Sequence, residues 1–155
     1  MGSVATTPLP AGELPPTVAA LAPGAFAIRH RVAVDETSAL VPHANNIVIL
    51  GWIDRIASLH GAHAGAARED LAAAGKMWFV ARHEIDYHGE SFAGDELILA
   101  TWTIELGRTS LVRGTAIARA NDGALVVRAR SRWALVDLAT RRPTAIPESV
   151  RAALR

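Results

Sequence analysis

The sequence predicts an α+β domain in which one curved antiparallel sheet wraps around a single long helix. Three observations predict it. An apolar run from Ile47 to Leu59 has helical length and spacing. Four extended stretches rich in strand-forming residues follow between Met77 and Leu138. The turns between them are short, and Asn121-Asp122-Gly123 is the clearest hairpin signal, so the four stretches read as a meander. A meander sheet buries one face, and a helix apolar nearly all round needs a surface that curves about it.

Composition agrees with one packed domain. A chain of 155 residues suits a single core, and 50% apolar against 20% charged residues excludes global disorder. The formal net charge of +1 leaves no broad field for nucleic acid or a membrane surface, so any anion site must be local. There is no cysteine, which excludes disulfides, thiolate metal sites and a cysteine nucleophile and fits a reducing cytoplasm. The longest apolar-rich stretch, Ile47 to Leu59, is interrupted by Asp54 and Arg55 and is shorter than the roughly 20 residues a spanning helix needs. Pro8, Pro10, Pro15 and Pro16 interrupt the N-terminus, which has no basic start, so no secretory signal is expected.

Residues 1–23, rich in Pro, Ala and Thr, are expected to form a loose extension ahead of a domain over 24–155. Ala25 to Val34 alternates, with Phe26, Ile28, His30 and Val32 on one face, and reads as the first strand. Asp35 to Pro42 breaks the pattern as a connecting loop. The helix follows, with Asn45 or Asn46 as its N-cap and apolar residues on most faces. Residues 61–76 are rich in Ala and Gly and suit a short helix or loop. Strands are expected over Met77–Tyr87, Glu96–Leu106, Thr109–Ala120 and Ala124–Leu138, and a short helix over Pro147–Leu154.

The run His43-Ala44-Asn45-Asn46 through Gly51-Trp52-Ile53 resembles the His-Val-Asn-Asn…Gly-Trp-Ile signature of acyl-acyl-carrier-protein thioesterases. Ile85-Asp86-Tyr87, Gly94-Asp95-Glu96-Leu97, Gly107-Arg108-Thr109-Ser110 and Trp133-Ala134-Leu135-Val136-Asp137 resemble strands and turns of the wider 4-hydroxybenzoyl-CoA thioesterase superfamily. The resemblance covers roughly residues 26–150. It implies the hotdog fold and hydrolysis of an acyl thioester of coenzyme A or acyl carrier protein. It implies no cofactor beyond the coenzyme A of the substrate, and a homodimer or homotetramer with sites between subunits. An unpaired sheet edge points to oligomers independently.

Thioester hydrolysis needs a carboxylate that activates water or attacks the carbonyl, and amide donors for the oxyanion. A loop carrying acids that runs into a buried helix supplies both. Counting back without a gap, the resemblance places Glu36 where a catalytic Asp stands, with Asp35 as its neighbouring substitute. It places His43 at the oxyanion-hole position and Glu90 where the carrier-protein enzymes hold an acid. Those enzymes also carry an Asp and an Asn before the His, where this chain has Ala39 and Val41. Asn45 and Asn46 are candidates to position water or the thioester, or to cap the helix. Asp54 is a further acid, and a charge on a buried helix needs a partner. Arg108 and Ser110 are placed by resemblance at the coenzyme A phosphates. Arg128, Arg130 and Arg132 form a period-two stripe that suits a solvated outer face. His60, His63, His83 and His88 complete no recognisable ligand set, so no metal is expected. Two rival readings stand beside the hydrolase: a hotdog domain that binds acyl thioesters without cleaving them, and a hydroxyacyl-thioester dehydratase. The dehydratases have a Pro-Gly pair after the His, where Asn45-Asn46 follows His43 here.

Overall fold

The computed structural model describes residues 6–155. In chain order its elements are α1 (Pro16–Ala19), β1 (Phe26–Arg31), α2 (Asn46–His63), α3 (Arg68–Ala73), β2 (Lys76–Tyr87), β3 (Glu96–Leu106), β4 (Ser110–Arg119), β5 (Leu125–Asp137) and α4 (Glu148–Leu154). The strands form one five-stranded antiparallel sheet in the order β1-β3-β4-β5-β2. Register shifts at Val80/Arg82, Thr103/Glu105 and Ile117/Ala118 bend the strands, and the bent sheet wraps α2. This is the hotdog architecture.

The helix starts where the sequence places it. Asn45 is the N-cap, and its side-chain oxygen accepts the Ile47 and Val48 amides at 3.0 and 3.1 Å. The cap and the packing of the following turns override the strand preference of Ile47-Val48-Ile49. Ile49, Trp52, Ile53 and Ile56 are buried against Ile28, Leu99, Ile117 and Val127 of the sheet. Each such side chain contributes roughly 1.5–3 kcal/mol by leaving water. A second cluster joins Leu71 of α3, Val150 and Leu154 of α4, and Trp133 and Leu135 of β5.

Three expectations need correction. The four later strands are not a simple meander. Only β3, β4 and β5 follow one another as neighbours, while β2 pairs with β5 and β1 lies beside β3. The connector 88–95 is too long for a tight hairpin, and Phe92 within it forms a bridge to His43. The helix is also not buried on most faces: Ile47 is 74% exposed and Leu50 39%, because the sheet covers one side only. Finally, residues 6–23 are not loose. Val18 is fully buried, and with Leu14 it packs on Ala27, Ile98, Ala100, Ala116 and Ala118 of the outer sheet face. That face is apolar and would otherwise meet water. Residues 1–5 of the expected extension lie outside the described residues. No described helix is long and apolar enough to cross a membrane.

Candidate active site

The start of α2 and the connector 88–95 meet at one end of the sheet. The Ala44 amide donates to the Ser91 carbonyl at 2.8 Å, beside the His43–Phe92 bridge. This clamp brings His43 Nδ1 to 2.9 Å from Glu90 Oε1, across 47 residues of sequence. Arg119, at the end of β4, braces the connector. Its Nη1 donates to Asp95 Oδ2 at 3.0 Å and its Nη2 to the Glu90 carbonyl. The Asp95 carboxylate also accepts the Phe92 amide at 2.9 Å. His43 is partly buried and Glu90 is 59% exposed, so the pair is held yet reachable.

Glu36 has a different environment. Its Oε1 accepts from the Ala33 amide at 3.0 Å and bonds His30 Nε2 at 2.9 Å, and its Oε2 accepts from the Trp52 indole at 2.5 Å. Arg55 Nη1 lies 3.0 Å from His30 Nδ1. A guanidinium only donates, so His30 accepts at Nδ1 and donates from Nε2 to Glu36. Burial alone would raise the Glu36 carboxyl, but the hydrogen bonds from Ala33, Trp52 and His30 outweigh it and hold the group below its ordinary value. The side chain therefore ties β1, the loop and α2 together.

The remaining candidates are dispersed. Asp35 is exposed beside Glu36. Asn45 is the cap, and Asn46, exposed, is the first helical residue, one position behind the capped amides. Asp54 forms a bidentate pair with Arg68 at 2.9 and 3.1 Å. Arg108 is exposed in the β3–β4 turn, which is closed by the Gly107 amide donating to the Ser110 carbonyl at 2.8 Å. That turn lies at the far end of the 11-residue β3 from Phe92, roughly 35 Å along the strand. One chain thus does not bring Arg108 and Ser110 to His43. Arg128, Arg130 and Arg132 are exposed, and Arg130 pairs with Glu105. His60 and His63 pack on the Phe26 ring, and His83 Nδ1 lies 2.6 Å from Ser131 Oγ. Sequence reasoning missed the bracing by Arg119 and Asp95, because those contacts join distant segments.

Solved structures share this architecture. A 1,4-dihydroxy-2-naphthoyl-CoA thioesterase from Synechocystis superposes with a TM-score of 0.78 over 84% of this chain and 96% of its own, at 15% identity. A Staphylococcus aureus protein in complex with CoA superposes with a TM-score of 0.73 over 83% of this chain and 80% of its own, at 18% identity. The chloroplastic palmitoyl-acyl carrier protein thioesterase of Cuphea hookeriana is 25% identical over 133 residues, which are 81% of this chain and 31% of that protein. The chain therefore spans less than a third of the length of such curated relatives. The family model for the thioesterase-like superfamily matches residues 34–154, from the loop before α2 to the end of α4, and the chain belongs to that superfamily.

Proposed function

We propose that the protein hydrolyses an acyl thioester of coenzyme A or acyl carrier protein, with His43 and Glu90 as its catalytic pair. The observation that carries this reading is the 2.9 Å contact between His43 Nδ1 and Glu90 Oε1 at the start of α2. The Glu90 carboxylate accepts the Nδ1 proton, which leaves Nε2 as the base. Nε2 takes a proton from water as the water oxygen attacks the thioester carbonyl. The Asn46 amide, left free by the Asn45 cap, and the positive end of α2 stabilise the oxyanion. The tetrahedral intermediate collapses with cleavage of the carbon–sulfur bond. The imidazolium returns its proton to the leaving thiolate, giving free acid and thiol. Glu36 is the positioning residue that holds the loop against α2.

Both named thioester classes present a phosphopantetheine thiol ester, so one site serves either. Arg108 and Ser110 contact phosphate through a second subunit, since in their own chain they lie at the far end of β3. Guanidinium groups suit phosphate because they donate paired hydrogen bonds.

Steady-state hydrolysis of a panel of acyl-CoA esters, read as thiol release, tests the reading. Glu90→Gln and His43→Ala are each expected to lower kcat by roughly 10²–10⁴-fold. Saturable thioester binding without thiol release would identify a binding module instead. Wild-type turnover in both variants would remove the pair from the chemistry.

A further inference from the structure

The inner sheet face carries a polar island where a core is expected. Thr101, Arg113, Thr115 and Ser131 are all buried there, beneath the C-terminal half of α2. Arg113 is 4% exposed, and no carboxylate among the described residues lies within ion-pair distance of it. Its Nη1 donates to His60 Nδ1 at 2.7 Å and makes a long contact of 3.4 Å to Thr101 Oγ1. Among the described residues no partner meets its Nε or Nη2. Burial and the neighbouring Arg68 lower the guanidinium to about 10, so it stays charged at neutral pH. Burial, Arg113 and His63 push His60 down to about 4, so the imidazole beside it is neutral and supplies no countercharge.

An uncompensated buried charge costs several kcal/mol, so a buried guanidinium is expected to meet a counter-charge. A pocket lies at this point. Ala57, Leu111, Trp78 and Trp133 form its apolar walls, and Arg113 and Arg68 line it as well. Its enclosed part is small, about 20 Å³, room for a carboxylate head, and the rest opens to solvent, where an apolar body would lie between the walls. Arg68 is neutralised by Asp54, so the net positive charge is that of Arg113. The Trp133 indole N–H is also buried without an acceptor. The pocket thus offers unpaired guanidinium donors of Arg113 and, in Trp78 and Trp133, flat aromatic walls. It lies 11–15 residues along α2 from Asn46, roughly 17–23 Å from the helix start, and is separate from the His43–Glu90 pair.

We propose that this pocket binds an organic carboxylate carried on a flat apolar group, with Arg113 as the anion partner. A guanidinium meets a carboxylate with two parallel hydrogen bonds, and the tryptophans pack against the apolar body. The carboxylate belongs either to the acyl group of a thioester substrate or to a free acid, and only the first source rests on the proposed hydrolase activity.

Titrating the full-length chain with benzoate and with benzamide, followed by tryptophan fluorescence and calorimetry, tests the site. Benzoate is expected to bind roughly tenfold or more tightly than the neutral isostere, and Arg113→Met is expected to abolish that difference. Should Arg113→Met fail to fold, the wild type still decides. Benzoate at up to about 10 mM should raise its Tm and benzamide should not. A kinetic arm compares hexadecanedioyl-CoA with palmitoyl-CoA, whose acyl chains are long enough to span the roughly 17–23 Å from the helix start to the pocket. A roughly tenfold lower KM for the carboxylated ester, lost in Arg113→Met, assigns the site to the substrate's acyl group. Benzoate binding without that preference assigns it to a free acid. No discrimination between benzoate and benzamide in the wild type overturns the proposal. Absence of any thioester hydrolysis overturns the catalytic reading alone and leaves the benzoate result to stand by itself.

Discussion

Two carboxylates of similar sequence promise have different surroundings. Glu90 faces solvent and touches one imidazole, whereas Glu36 receives hydrogen bonds on both oxygens. A base must hand its lone pair to a passing proton, and lone pairs already occupied serve structure better. Glu36→Gln keeps one acceptor oxygen and replaces the other with a donor that faces either the Trp52 N–H or the Ala33 and His30 donors. Stability is expected to fall by about 1 kcal/mol, the scale of one lost, partly exposed hydrogen bond. Thermal melts and kcat measured on the same preparation check this. A loss of turnover of roughly 10²-fold or more with an unchanged Tm would make Glu36 itself the base.

At the scale of elements, β3 and β4 are held at one point by a side chain laid across a glycine. Gly114 is the register partner of Trp102 on the outer face, and a Cβ there would stand 2.3 Å from the indole. The sheet can shed neither the ring nor the backbone beneath it, because Trp102 packs with the cluster that buries Leu14 and Val18. Gly114→Ala is therefore expected to cost roughly 1–3 kcal/mol, or several degrees of Tm for a chain of this size. Combining it with Trp102→Ala should cost less than the sum of the two single changes, because the second removes the clash. Strict additivity in that double-mutant cycle would show that the ring does not press on the glycine. The same outer cluster explains why the proline-rich segment around Leu14 and Val18 packs on the sheet: it covers apolar side chains of β1, β3 and β4 that the sheet alone leaves in water.

At the scale of the molecule, two features bear on assembly and on pH. The sheet ends in β2, twelve residues long, whose outer edge has no strand partner among the described residues and which exposes Phe79, Val80 and Tyr87 by 45–51%. Unpaired edges with apolar side chains recruit further strands. A second copy on that edge would cover those side chains and bring a second β3–β4 turn into the assembly. Sedimentation at micromolar concentration is expected to show a dimer or tetramer, and a lone 16.4 kDa species would refute it. The pH response follows from His60, whose folded pKa of about 4 lies below its ordinary value of 6.5. Between those values the unfolded chain binds a proton that the folded chain does not, so stability is full above about 6.5 and is lost as pH falls toward 4. His83 shifts in the same direction, through burial opposed by Asp54. After discounting for partial exposure, Tm should fall by roughly 2–4 °C from pH 7 to pH 5. His60→Gln, whose amide oxygen still accepts from Arg113, should flatten most of that slope. A wild-type Tm that is level over this range would contradict the burial of a neutral His60.

The α+β class, the long central helix, its Asn45 cap and the 121–123 hairpin were legible in the sequence, because each depends on periodicity or turn chemistry within a few residues. Even the order of motifs that points to thioesterases is a property of the chain read locally. Tertiary structure decided what lies beside what. It set β2 next to β5 rather than β3, laid the N-terminal segment over the outer face, and left Ile47 and Leu50 uncovered. It also joined His43 to Glu90 and engaged Glu36 elsewhere, choices that no spacing along the chain encodes. Arg113 stands between these cases. Its alternation with Leu111, Thr115 and Ile117 already puts a charge on the buried face, but only packing shows that no carboxylate comes to meet it. Local pattern decides which face a residue takes, while the partner it finds there depends on long-range packing.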